Sequence, residues 1–190
     1  MDNDIVIIGA GGVGREIASI LKNDSRINFN LKGFIDDTIP TGTLINGKSV
    51  LGGIEWLKNN NKLAAVIAIG NPEVRKGIIE VLKSMDIFCP TIIHPNVSIH
   101  DMENVKIGQG CYIADGCIFT TNIVIEDYCF INTSCTLQHD TFIESNSVLM
   151  PGVRITGGAK IGSGTFVFPN CVIATASVIE KNSIIRNSIL

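Results

Sequence analysis

The sequence predicts an α/β chain in two parts: a Rossmann-like module over residues 1–95, then a left-handed parallel β-helix over residues 96–190. Three observations predict it. An apolar run near the N-terminus ends in a glycine-rich turn, a strict six-residue period fills the C-terminal half, and Ile93-His94-Pro95 interrupts the pattern between them. Composition agrees, since 45% hydrophobic against 17% charged residues favours strands around a buried core over disorder.

The first elements follow in order. Residues 4–9 (Asp-Ile-Val-Ile-Ile-Gly) read as a buried strand. Gly9, Gly11 and Gly14 then form a G-x-G-x-x-G turn with Gly12 inside it, and Ile17, Ile20 and Leu21 continue as a helix. A glycine turn entering a helix presents unpaired N–H groups and the positive end of the helix dipole, the setting that holds a phosphate. A second strand over Leu31 to Ile35 ends at Asp36 and Asp37, where an acidic side chain can bond a sugar hydroxyl. These residues point to a nucleotide-type ligand. Glycines that serve only a tight β-α turn, and aspartates at a solvated strand end, are the competing readings.

Further along, a helix is expected over residues 53–58 and a buried strand over 64–69. Gly70-Asn71-Pro72-Glu73 reads as loop, cap and first helical turn of a helix reaching Met85, and residues 89–93 as a last strand. The module is thus a truncated βαβαβαβ unit.

Stepping by six from Ile107 to Ile185 meets an apolar residue at all fourteen positions. Four residues after each, eleven of fourteen side chains are small, among them Cys111, Cys117, Cys129, Cys135 and Cys171. This is the period of a β-helix with three hexads to a coil: large aliphatic groups stack inward, and small ones turn the corners between closely stacked coils. A helix cannot carry this pattern, because a six-residue step walks around its surface. The cysteines are therefore compact core residues rather than ligands, and no C-x-x-C pair occurs. A partial coil from Val97 and Ile99 is expected to precede the regular ones. Triangular prisms pack naturally as a cyclic homotrimer.

Several classes are excluded. A formal charge of −3 without runs of like charge gives no footprint for nucleic acid. No apolar stretch of about 18 residues suggests a membrane span. Met-Asp-Asn-Asp at the start lacks the basic lead of a secretory signal, so a cytoplasmic location is expected. No metal is expected either, because a zinc site needs about three converging ligands and the repeat holds one histidine.

That histidine, His139, is followed at once by Asp140. Imidazole titrates near neutral pH and a carboxylate can orient it, which suits removal of a proton from an amine or hydroxyl attacking a thioester. A solvated surface histidine is the competing reading. His94 and His100 read as junction residues.

The combination of Ile8-Gly9-Ala10-Gly11-Gly12-Val13-Gly14, Phe34-Ile35-Asp36-Asp37, Ala68-Ile69-Gly70-Asn71 with Arg75, Ile93-His94-Pro95, and Asn132-Thr133 before His139-Asp140 resembles the bacterial hexapeptide sugar acyltransferases of surface-glycan biosynthesis. These N-acetylate nucleotide-linked amino sugars or O-acetylate sialic acid, and the resemblance spans nearly the whole chain. It implies a homotrimer that takes acetyl-CoA as co-substrate and a UDP-linked amino sugar as acceptor. It further implies His139 as general base, Asp140 as its orienting acid and Asn132 near the reacting group. Gly9, Gly11, Gly12, Gly14, Asp36, Asp37, Gly70 and Asn71 would bind the nucleotide sugar, and Gly157, Phe168 and Ala174 acetyl-CoA.

The chain departs from that pattern at Val148, where many relatives have a second histidine, and at Phe168 and Pro169, where they have small residues. It also stops at Leu190 within a hexad, without the relatives' glycine-rich final coil. A catalytically degenerate nucleotide-sugar-binding trimer is the alternative these departures leave. An NAD-dependent dehydrogenase rests on the glycine motif alone.

Overall fold

The computed structural model describes residues 3–24 and 26–190 and forms two compact units. Met1 and Asp2, part of the N-terminal segment read above for a secretory signal, lie outside the described residues, as does Ser25. One unit runs to Gly70 and resumes over Gly77–Pro90; the other holds Asn71–Lys76 and Thr91–Leu190.

The first unit is built on β1 (Asp4–Ile8), α1 (Gly12–Asn23), β2 (Asn30–Ile35), β3 (Leu44–Ile45), β4 (Lys48–Gly52), a 3-10 turn at Ile54–Asn59 and β5 (Ala64–Ile67). Its sheet has the order β3-β4-β2-β1-β5, parallel throughout except for the β3–β4 hairpin. The interior strand β1, between β2 and β5, buries Ile5, Val6 and Ile7 completely, as a parallel strand covered on both faces must. On α1 the helical spacing turns Ile17, Ala18 and Leu21 inward. The carboxyl ends of β2, β1 and β5 therefore lie side by side, and the chain leaves them at Asp36, Gly9 and Ala68.

Two expectations change here. Residues 89–93 do not form a strand of this sheet; Phe88 only accepts a bond from the Ala65 N–H. The sheet's remaining two strands come instead from the hairpin, which turns at Asn46 and Gly47 with φ of 50° and 81°. The helix expected over 53–58 is the 3-10 turn.

After β5 comes α2 (Pro72–Ser84). Asn71 caps it, its Oδ1 accepting the N–H groups of Glu73 at 2.9 Å and Val74 at 3.2 Å, with Pro72 at the first helical position.

In the second unit a left-handed parallel β-helix begins earlier than residue 96, because Ile92–Ile93 pairs with Tyr112–Ile113. Its three faces carry six, five and five short strands. Ile113, Phe119, Ile125, Ile131, Leu137 and their equivalents point inward with no exposure above 1% through Ile173. Corners are turned in the left-handed region at Asn122, Ser134, Asp140, Asn146 and Asn170, with φ between 53° and 61°.

The small corner residues do more than save space. The thiols of Cys111, Cys117, Cys129 and Cys135 donate to the carbonyls of Glu126, Asn132, Glu144 and Met150, each fifteen residues on, at 3.1–3.3 Å. Ser147 and Thr165 make the same bond, to Gly162 and Glu180, at 3.1 and 3.2 Å. At these six positions the compact side chain also donates to the next coil. All six cysteines are free thiols. Among the described residues, no helix is long and apolar enough to cross a membrane.

Candidate functional site

Leu137 is wholly buried and ends the short strand Thr136–Leu137, so the chain must turn through Gln138, His139 and Asp140. The Thr141 hydroxyl closes this corner by donating to the Gln138 carbonyl at 2.7 Å. Asp140 adopts φ 61°, which an aspartate tolerates. The corner is tied to both neighbouring coils: the Asp140 N–H donates to Thr121 at 3.2 Å, and the Gly158 N–H to His139 at 2.9 Å.

On this frame His139 Nδ1 lies 2.8 Å from Asp140 Oδ2. The other carboxylate oxygen accepts the Asn122 side-chain amide at 3.1 Å. These two bonds, the His139 one foremost, hold the Asp140 carboxyl below its ordinary range. With Nδ1 engaged, Nε2 is the nitrogen left for chemistry. Both side chains are open to solvent, 61% and 57% exposed.

Gly157 stands against the far side of the ring. A Cβ there would fall 2.6 Å from His139 Nε2 and closer still to Cε1. No left-handed φ demands glycine at 157; that requirement belongs to Gly158, at φ 72°. The missing side chain at 157 is what gives the imidazole its seat. Ala174 occupies the same corner further along and bonds through its N–H to the Ile189 carbonyl at 2.8 Å.

Asn132 and Phe168 sit elsewhere. They turn the preceding corner, and the strand Thr136–Leu137 separates Asn132 from His139. Asn132 is only 7% exposed, and its Oδ1 accepts the Thr133 N–H at 2.8 Å. Phe168 packs edge-on to Phe166 with 5.2 Å between ring centroids, and the Arg186 guanidinium lies 4.7 Å above it. Val148 is fully buried and pairs with Phe130 and Phe166 in neighbouring coils. Within one chain the structure therefore gathers His139, Asp140, Gly157 and Ala174, and not Asn132 or Phe168.

At the other candidate site the glycines divide in two. Gly9 has φ 99° and leaves no room beside Ile69 and Ala68, and a Cβ on Gly14 would collide with the Gly9 carbonyl. The fold itself requires both. Gly11, Gly12 and Gly70 have open space where a Cβ would stand. The helix α1 begins at this turn with Gly11 as its cap residue, which supplies no side chain to take the first N–H groups.

Both aspartates brace the backbone. Asp36 Oδ2 accepts the Ala10 N–H at 2.9 Å, while Oδ1 accepts the Thr38 N–H at 2.9 Å and hydroxyl at 2.7 Å. Partial burial pushes this carboxyl up, but the bonds outweigh it and hold it low. Asp37 Oδ1 accepts the Ile54 N–H at 3.0 Å, and a Cβ on Gly53 would run into that oxygen.

Sequence reasoning did not single out Asn122, the second partner of Asp140. Its signal was present, for it stands eighteen residues before Asp140, one coil of the repeat. Among the described residues no group of three His, Cys, Asp or Glu side chains converges as a metal site would.

Residues 4–82 match the PglD N-terminal domain family. The acetyltransferase domain of PglB from Neisseria gonorrhoeae FA1090 superposes with a TM-score of 0.70 at 22% identity, covering 99% of this chain and 93% of that one. PerB from Caulobacter crescentus, solved in complex with CoA and GDP-perosamine, gives 0.66 at 21% identity over 98% and 90%. WeeI from Acinetobacter baumannii AYE gives 0.58 at 24% identity over 97% and 92%. No curated protein sequence matches significantly. Residues 4–82 are thus similar to the PglD N-terminal domain family, and the chain as a whole shares its fold with the PglB acetyltransferase domain, PerB and WeeI.

Proposed function

We propose that this protein transfers an acetyl group from acetyl-CoA to the amine, or a hydroxyl, of a sugar, specifically a UDP-linked amino sugar, in bacterial surface-glycan biosynthesis. The observation that carries this reading is the His139 ring, held at Nδ1 by Asp140 and seated on Gly157 with both side chains open to solvent. The PglB domain has also been solved with acetyl coenzyme A, and PerB with CoA and GDP-perosamine, which supports both substrate classes.

His139 Nε2 takes a proton from the acceptor amine as that nitrogen attacks the thioester carbonyl. The carbon–sulfur bond breaks, and the departing thiolate regains a proton as free CoA. Direct attack suffices once amine and thioester are held together, so no covalent enzyme intermediate is needed. Asp140 keeps the imidazole in the tautomer that leaves Nε2 basic.

In a homotrimer of prisms, one copy's His139 corner meets a different corner of its neighbour. That arrangement unites His139 with Asn132 and Phe168, which a single chain keeps on separate corners. Acetyl-CoA then lies in the groove between copies, with Gly157 and Ala174 on one wall and Phe168 on the other. The α1 N-terminus with Gly11, Gly12 and Gly70 receives the diphosphate, beside the turns braced by Asp36 and Asp37. Six free thiols suit the reducing cytoplasm.

Val148 favours a second reading, a non-catalytic nucleotide-sugar-binding trimer, because it fills with a buried apolar group the place where relatives carry another histidine. One assay separates the two: CoA thiol release from acetyl-CoA in the presence of GDP-perosamine, UDP-4-amino sugars or sialic acid. Acceptor-dependent release is expected. Binding of a nucleotide sugar without release for any acceptor would establish the second reading instead.

A further inference from the structure

The chain passing from β4 to β5 must cross β2 and β1, because the strand order is β3-β4-β2-β1-β5. Parallel strands are usually joined over such a distance by a helix that covers the sheet. Here the only regular element is the 3-10 turn at Ile54–Asn59, followed by the loop 60–63. A cavity of about 430 Å³ opens beside it, wholly within the first unit. Small-ligand sites occupy roughly 300–1,000 Å³. Lys62 and Leu63 of this cavity come before the amino end of β5, whereas the glycine turn follows the carboxyl end of β1, and the two strands are parallel.

The indole of Trp56 forms one wall and is held in place. Gly52, at φ 155°, gives it room, since a Cβ there would stand 3.0 Å from Trp56 Cβ and 3.2 Å from the ring. Asn60 braces the same turn, its Nδ2 donating to the Trp56 carbonyl at 3.0 Å. The other polar groups at the cavity are unspent. Among the described residues, the side chains of Asn59, Asn61 and Lys62 and the indole N–H engage no partner. Lys32 adds a second cation, 3.3 Å from Asp4, and no carboxylate lines the cavity. A cavity of similar size between α1 and the β3–β4 hairpin differs in this respect: there Asn23 donates to Ser19, Asn30 to Asp4 and Lys48 to the Leu31 carbonyl.

An aromatic face, free amides and a free ammonium group together select a ligand. A nucleobase stacks on an indole. Its edge offers donors and acceptors that a carboxamide can meet in pairs. Lysine supplies the point charge for a phosphate. A cationic ligand would face two ammonium groups, and an apolar one would strip water from the asparagines without replacing its hydrogen bonds.

We propose that this cavity is a nucleotide site separate from the glycine turn: a nucleoside monophosphate stacks its base on Trp56, bonds the base edge to the Asn59 and Asn61 amides, and sets its phosphate against Lys62.

Trp56 is the chain's one tryptophan, so intrinsic tryptophan fluorescence reads this cavity directly. Titration of the full chain with AMP or UMP should quench it saturably. Adenosine should quench with an affinity about fivefold weaker than AMP, the size of an exposed charge pair, and inorganic phosphate alone should leave the signal unchanged. Lys62→Gln should lower the AMP affinity to that of adenosine. Replacing Asn59 and Asn61 by alanine together should weaken AMP and adenosine alike, by about tenfold. These three side chains are exposed and unpartnered, so the variants should fold as wild type does. Trp56→Leu, followed by calorimetry, should cost about tenfold in AMP affinity. Gly12→Ala should leave the AMP titration unchanged.

No quenching by millimolar AMP or UMP would overturn the proposal, as would an AMP affinity unmoved by Lys62→Gln. Quenching abolished by Gly12→Ala would place the nucleotide at the glycine turn and overturn it equally. None of these readouts depends on acetyl transfer.

Discussion

The glycine turn after β1 and the solenoid corner at His139 both resemble ligand sites, yet glycine is present in them for opposite reasons. At Gly11 and Gly12 nothing of the protein fills the space a side chain would take, and the fold gives no reason for glycine. At Gly157 the space is already occupied, by the ring of His139. In the first region the emptiness leaves room for a ligand's close approach. In the second the contact records how the chain places the His139 imidazole. The same residue type thus leaves open space in one unit and makes a positioning contact in the other.

The sharpest way to break this comparison is Gly157→Ala. The new methyl group must displace the imidazole, and a misplacement of about 1 Å is enough to cut turnover roughly 10²-fold. The displaced His139 ring is mostly exposed and can swing into solvent, so the thermal midpoint should barely move. Unchanged turnover in that variant would show that Gly157 does not seat the base.

A next step sets Gly14→Ala against Gly12→Ala. The first drives a methyl group into the Gly9 carbonyl and should destabilise the protein by about 1–3 kcal/mol, read from denaturant midpoints. The second meets nothing and should leave stability within about 0.5 kcal/mol. It should still raise KM for the nucleotide sugar, because a side chain then stands where the phosphate approaches. If both variants behaved alike, the division between fold glycines and ligand glycines would fail.

The smallest effect concerns Asp36. Its folded carboxyl is held low, so its contribution is present above the unfolded value of about 3.9 and fades as pH falls through the lower folded value. Asp36→Asn should therefore be less stable than wild type at neutral pH, with the gap closing in strong acid. A gap that stayed constant from neutral pH into strong acid would mean that the charge is not what braces Ala10.

Much of the solenoid was legible in the sequence because a six-residue period leaves one inward position per strand and tolerates no slippage. Its beginning was not. The turn at Asp101 to Asn104 adds two residues to the first coil, so Ile99 pairs with Phe119 at a step of twenty whereas Phe119 pairs with Leu137 at eighteen. Stepping back by six from Ile107 consequently lands on Asp101, and Ile92–Ile93 looked like a strand of the preceding module.

The β3–β4 hairpin was missed for a different reason. Its strands are too short for alternation to show, and only Asn46-Gly47 announced it. At the candidate sites, the adjacency of His139 and Asp140 could be read directly, whereas the dependence of the ring on Gly157 appears only once coils are in register. Nor does a sequence reveal whether Asp36 and Asp37 turn toward a ligand or toward the backbone; here both accept backbone N–H groups.

The central claim is that the His139 corner performs acyl transfer. Its most direct test follows CoA release from acetyl-CoA with an amino-sugar nucleotide acceptor, comparing wild type with His139→Ala after confirming that both bind the acceptor equally. Acceptor-dependent release should fall roughly 10²- to 10⁴-fold in the variant. Release at the wild-type rate from His139→Ala would contradict it.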